Sequence, residues 1–334
     1  MENVTKNKLF FAACVSLVVT SMTFAIRAGI LTQLGKDFAI NNTDLGYINS
    51  MAFLGFPIAM LIGGLLYNSL GPKKLMTIAF ICHILGLLLT IYAGGFWTLI
   101  VSTFFIGVAN GAVEAACNPM IADMYTDNRT TMLNKFHVWF PGGLVIGALV
   151  SEFMTGAGFG WQAQIATMLI PTAIYGYLVF TQKFPESENI ESNTSKNIKA
   201  LADPLFLFMI ICMTLTATSE FIPQQWVETI LGKSGASPML VLALVTGIMA
   251  LGRFFAGPLV HRLNPIGVLL LSAIIAATGI YAMSIAEGGM IYIAAVFFAL
   301  GVCYFWPTMI GFTSEYISKT GALGMSLMGG AGMF

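Results

Sequence analysis

The chain has 334 residues, 57% of them hydrophobic and only 9% charged, with a formal net charge of zero. Soluble domains carry about 25% charged residues, so this composition excludes an ordinary soluble enzyme. Without a long basic run it also offers no footing for nucleic acid, and the partner it requires is a lipid bilayer.

A membrane-crossing helix needs about 20 mostly apolar residues to span a ~30 Å hydrocarbon core. Ten stretches qualify in chain order: 9–31, 44–68, 75–94, 97–121, 132–153, 162–182, 203–227, 238–260, 265–285 and 289–312. The first has no A-x-A cleavage site and reads as a span that also targets the chain. An eleventh stretch begins at Gly321, and the 14 residues from there to Phe334 rise only ~21 Å. The sequence is therefore expected to stop inside a helix. Cys14, Cys82, Cys117, Cys212 and Cys303 all fall within apolar runs, where cysteine packs as a small hydrophobe. No disulfide, metal site or cofactor is expected.

Lys and Arg in the short connections set orientation. With the N-terminus inside, the inner ends hold twelve basic residues, among them Lys6, Lys73, Lys74, Arg129, Arg253 and Arg262, against Lys36 and Lys233 outside. That asymmetry predicts a cytoplasmic N-terminus in the inner, cytoplasmic membrane. The polar stretch KFPESENIESNTSKNIKALADP cannot build a core. It divides the chain into residues 1–182 with six spans, a cytoplasmic linker 183–202, and 203–334. An internal repeat agrees with the division. GLLYNSLGP (64–72) follows the second span and GPLVHRLNP (257–265) follows the second span after the linker, with Gly, Leu, Leu and Pro in register.

Six spans, a linker and a Gly-containing basic loop resemble the major facilitator superfamily. Its loop signature G-x-x-x-D-R-x-G-R-[RK] is matched here by Gly64, Gly71 and Lys73, while Asn68 replaces the acidic residue and Ser69 and Pro72 replace basic ones. Three further stretches narrow the likeness. NGAVEAACNP (110–119) resembles the Glu-x-x-x-Asn-Pro stretch of the fucose–proton symporter branch. LNKFHVWFPGG (133–143) is similar to a sugar-permease pattern, and FWPTMIGFTSEY (305–316) resembles the tenth helix of that group. AIRAGILTQL departs from it, placing Arg27 where an acid is expected. The resemblance implies an all-α membrane protein, a helix bundle of two six-helix repeats, here with about ten full spans and part of an eleventh.

It also implies that spans 1, 4, 7 and 10 line a central cavity. These carry the unusual polar residues: Arg27 and Gln33; Asn110, Glu114 and Asn118; Glu220, Gln224, Gln225 and Trp226; Tyr304 and Trp306. Asn110, Glu114 and Asn118 are each four apart and share one helix face. Carboxylates, amides and aromatic rings suit a sugar, whose hydroxyls both donate and accept and whose ring has an apolar face. A carboxylate in an apolar run is costly and needs a compensating role, so Glu114 is read as the proton-coupling group, with His137 as a relay. An Arg27–Glu220 pair is expected to close the outer mouth in one conformation, the alternative being that Arg27 snorkels to the outer interface. Gly64, Asn68, Gly71, Lys73, Arg253 and Arg262 are assigned to gating loops. The expected function is uptake of a small polar solute, a monosaccharide, by proton-coupled alternating access in a monomer. Transport of another metabolite or drug-like compound, a membrane sensor, and an inactive fragment remain as alternatives.

Overall fold

The computed structural model describes residues 3–185, 194–225 and 238–333, and every regular element among them is helical. The elements are α1 (Asn3–Asp37), α2 (Asn42–Ile91), α3 (Phe96–Met124), α4 (Arg129–His137), α5 (Trp139–Gly156), α6 (Trp161–Thr167) and α7 (Leu169–Thr181). After these come α8 (Thr194–Ala200), α9 (Pro204–Gln225), α10 (Pro238–Phe254), α11 (Ala256–Ile285), α12 (Met290–Val302), α13 (Phe305–Tyr316) and α14 (Gly321–Met333). Among the described residues, eight helical stretches are long and apolar enough to cross a membrane, Thr126–Gly156 and Met290–Tyr316 each running through a break. Large apolar side chains such as Ile81, Leu149, Phe153, Ile170 and Tyr281 point outward, as a lipid-facing surface requires.

The 50 residues of α2 would rise about 75 Å as one rod, more than two bilayer cores. The rod is broken at Gly71 (φ 72°, ψ 166°), immediately before Pro72. α11 is broken in the same way at Asn264 (φ 53°, ψ 171°), immediately before Pro265. These are the equivalent positions of the two sequence repeats, so the repeated Pro marks a repeated backbone corner. Glycine adopts this conformation at no steric cost. Asn264 does not, and its Oδ1 accepts a hydrogen bond from the Gly267 N–H at 3.1 Å, capping the next helix.

Prolines break three further spans. A proline has no N–H to offer and its ring collides with the carbonyl four residues back. Pro141 follows the α4/α5 break, Pro171 the α6/α7 break and Pro307 the α12/α13 break. Close helix approach comes from small residues: a Cβ on Gly107 of α3 would strike the Ala52 carbonyl of α2, and one on Gly301 of α12 would strike the Ala276 amide of α11.

Candidate functional site

The broken helices expose two backbone carbonyls inside the bundle. Pro141 leaves the His137 carbonyl without its helical donor, and Pro307 does the same to Cys303. Arg253, at the end of α10 and only 2% exposed, binds both: Nε donates to Cys303 O at 2.7 Å and one Nη to His137 O at 3.1 Å. Its other Nη reaches Glu220 Oε1 of α9 at 3.4 Å, the one ion pair among the described residues. The planar guanidinium fork presents donors in several directions at once, a task a lysine could not perform. Arg253 was expected in a gating loop. It stands instead in the interior, because α10 ends beside two carbonyls that need a donor and a carboxylate that needs a cation.

Glu114 lies on α3 and is 1% exposed. Its Oε2 accepts from Asn118 Nδ2 at 3.2 Å, one helical turn along, and from Trp306 Nε1 of α13 at 3.4 Å. Asn118 Oδ1 meets His137 Nε2 at 3.0 Å. A continuous polar path therefore runs Trp306, Glu114, Asn118, His137, Arg253, Glu220, the step from His137 to Arg253 passing through the His137 backbone carbonyl. Two of its bonds, Trp306 to Glu114 and Arg253 to His137, join the helices before residue 183 to those after residue 203. Glu220 Oε2 is buried without a hydrogen-bond partner.

Other predicted residues lie elsewhere. Asn110, although on the same α3 face, belongs to a separate buried network: its Oδ1 meets His83 Nε2 at 2.9 Å, His83 Nδ1 meets the Tyr175 hydroxyl at 2.8 Å, and Asn110 Nδ2 donates to Thr23 Oγ1 at 3.0 Å. His83 was missed, although it is the sole imidazole in the apolar run 75–94. Arg27 does not pair with Glu220, whose cation is Arg253. It lines an internal cavity among α1, α2, α3 and α6, with Thr23, Thr90 and Thr103. Gln33 reaches Thr155 Oγ1 of α5 at 3.4 Å, on the rim of the bundle. The Tyr304 hydroxyl is tied to Gly252 O at 3.1 Å rather than to the carboxylates. The side chains of Gln224 and Gln225, and all of Trp226, lie outside the described residues.

A cavity of about 410 Å³ lies not at this network but at the end of the bundle capped by α8, and its lining includes Tyr67, Asn68, Pro119 and Arg129. Pro119 directly follows Asn118, so the cavity floor meets the network. Around it the two sets of helices are cross-bonded. Arg129 donates to Ser314 O at 2.9 Å, and Glu315 accepts from the Thr130 hydroxyl at 2.7 Å. Asn197 of α8 accepts from Asn68 at 3.1 Å and donates to Lys319 O at 2.9 Å. Of the other residues assigned to gating, Gly64 packs against Ser326 of α14, Lys73 reaches Gln182 O at 3.4 Å, Gly71 forms the α2 corner and Arg262 is exposed.

Apolar helices whose buried charges gather where two sets of helices meet define a polytopic α-helical membrane protein. Residues 9–334 match the sequence profile of the Major Facilitator Superfamily, and the chain belongs to that family, whose members are transporters and not enzymes. Relatives include the D-xylose transporter of Levilactobacillus brevis, 23% identical over 52% of this chain and only 38% of that protein. Another is the putative niacin/nicotinamide transporter of Bacillus subtilis (strain 168), 22% identical over 94% of this chain and 82% of that protein. Among solved structures, the fold is similar to a variant of the E. coli fucose:proton symporter (TM-score 0.78, 17% identity, 97% of this chain, 88% of that chain). It is also similar to the proton:xylose symporter XylE (TM-score 0.80, 15% identity, 99% of this chain, 87% of that chain).

Proposed function

We propose that this protein is a secondary active transporter that takes up a small polar solute, a monosaccharide, by proton-coupled alternating access between two sets of helices, those of residues 1–182 and those of residues 203–334. The linker face is read as cytoplasmic, in the inner membrane, from the distribution of Lys and Arg. The observation that carries the reading is the charge balance of the buried network. Arg253 pairs with Glu220, while the hydrogen bonds to Glu114 come from the neutral donors Asn118 and Trp306, so the network holds two carboxylates and one guanidinium and one proton brings it to neutrality. Unpaired charge inside a membrane bundle is strongly disfavoured, which ties proton uptake to the arrangement of the helices that carry the three groups. Trp306 supplies a ring and Glu114 and Asn118 supply acceptors and donors for hydroxyls. The bonds closing the linker face support an alternating cycle in which this end seals while the other admits solute, and one structural neighbour is described in an outward conformation. The named sugar transporters favour a monosaccharide. The B. subtilis relative supplies the second reading, a different small metabolite.

The test is uptake of labelled monosaccharides and of nicotinate into proteoliposomes, with and without an imposed pH gradient, for the native chain and Glu114→Gln. Gradient-driven accumulation of a sugar that Glu114→Gln abolishes is the expected result. Uptake that ignores both the gradient and the substitution would refute proton coupling, and accumulation of nicotinate alone would replace the sugar.

A further inference from the structure

Arg27 is the second buried guanidinium, and nothing in the proposed transport cycle uses it. It is 7% exposed, its Nη1 meets no hydrogen-bond acceptor, and it takes no part in the one ion pair among the described residues. A cation inside a membrane bundle is normally paired, or else its long side chain carries the charge out to the interface. Here the head group does neither. It lines a cavity of about 10 Å³ to the centre of a water-sized sphere, room for about one small particle. Thr23, Thr90 and Thr103 line the same cavity, the hydroxyls of Thr23 and Thr90 donating to the Thr20 and Gly86 carbonyls, and Ile30, Leu34 and Ile106 make the rest of it apolar.

We propose that this cavity is a binding site for a small monovalent anion of halide type, held by the Arg27 guanidinium with Thr103 as an added donor. Water would satisfy hydrogen bonds but leave the charge uncompensated, whereas a monatomic anion answers both demands in the space present. A sugar or a carboxylate-bearing metabolite is too large for it. The anion sits one residue from the His83 network, because Thr23 lines the cavity and accepts a hydrogen bond from Asn110. It therefore acts as a structural counter-ion that braces α1 against α2 and α3. The proposal does not depend on which solute is transported.

The experiment is thermal unfolding of the purified full chain in detergent, titrating potassium chloride or bromide against potassium gluconate at constant ionic strength, for the native protein, Arg27→Lys and Arg27→Met. Native protein is expected to show a saturable rise of roughly 3–6 °C in its midpoint with either halide, shifted to higher concentration in Arg27→Lys and absent in Arg27→Met. A native midpoint equal in chloride and gluconate overturns the site. So does a response that fails to saturate or persists in Arg27→Met, since that is a general salt effect. If Arg27→Met does not fold, anomalous scattering from native crystals grown in bromide decides: a peak in contact with the guanidinium supports the site, and its absence refutes it.

Discussion

Replacing Arg253 is the most severe single perturbation the central network can suffer. Arg253→Met keeps the length and apolar stem of the side chain but removes every donor. Glu220 then remains buried without a cation, and breaking a buried pair from one side costs about 3–5 kcal/mol. The Cys303 and His137 carbonyls also lose the donor that replaced the helical N–H removed by Pro307 and Pro141, at about 1–3 kcal/mol each when left unsatisfied. These losses overlap, so the ion-pair figure of about 3–5 kcal/mol alone is taken as the floor. At about 2 °C per kcal/mol for a chain of this size, the unfolding midpoint in detergent should fall by on the order of 6–10 °C. Arg253→Lys keeps the charge but cannot fork to three acceptors, and should lie between the native protein and Arg253→Met. Adding Glu220→Leu to Arg253→Met removes the stranded carboxylate and should recover part of the loss, since an apolar replacement of a whole buried pair is often neutral. The control is Arg262→Met on the exposed surface. If Arg253→Met unfolds no earlier than that control, or if Glu220→Leu makes it worse, Arg253 is not the cation that holds Glu220 and the two proline breaks.

The remaining predictions concern other parts of the molecule. At the α11 corner, Asn264→Val forces a β-branched residue into positive φ and should cost about 1–3 kcal/mol, while Asn264→Gly relieves the backbone and loses only a few tenths of its cap; paired thermal unfolding curves distinguish the two. In the separate network, His83→Ala strands the Tyr175 hydroxyl and Asn110 Oδ1 and should lower stability by about 1–3 kcal/mol, whereas gradient-driven uptake per folded molecule should survive. A kcat for uptake reduced as strongly as by Glu114→Gln would instead place His83 in the transport site. On the linker face, Asn197→Ala removes two hydrogen bonds worth about 1–3 kcal/mol together, so a cysteine placed at Ser318 should react with maleimide several-fold faster in that background. Unchanged labelling would show that α8 does not hold this end closed.

The fold was legible where physics acts along the chain. Apolar runs of span length located the helices, and the recurring Gly, Leu, Leu and Pro of residues 64–72 and 257–265 located two corners that share one unusual backbone conformation. The division of single spans into α4 with α5, and α12 with α13, was not drawn out. The signal was present in Pro141 and Pro307, but a proline predicts only a disturbed helix, and it does not say which donor takes the freed carbonyl. That donor is Arg253, more than a hundred residues from one acceptor. Nothing local connects the three positions. The same distance explains why Arg253 was assigned to a loop. Lying toward the end of an apolar stretch, it satisfied the rule that basic residues gather at inner ends, and that rule counts residues without seeing what faces them.

Within the site, helical periodicity placed Asn110, Glu114 and Asn118 on one face of α3 correctly but could not say that different helices cover successive turns of it. At Asn110 the neighbour brings His83, and one turn later it is Trp306 that meets Glu114. The division has a functional consequence. Asn110 bonds only within the helices that precede residue 183, so its network moves as part of one body in any rocking motion. Glu114 accepts a bond from across the boundary. A carboxylate holds an N–H donor roughly twice as strongly as a neutral acceptor does, so a proton arriving on Glu114 weakens the Trp306 bond at the seam between the two sets of helices. Arg253 crosses the same seam to the His137 carbonyl and gains no such relief, because a backbone acceptor does not titrate. Of the two bonds, only the one made by Glu114 can be loosened by a proton, and under the proposed proton coupling this is where the buried network yields, whereas Glu315, which accepts from Thr130 across the same boundary, stands outside that network at the linker end.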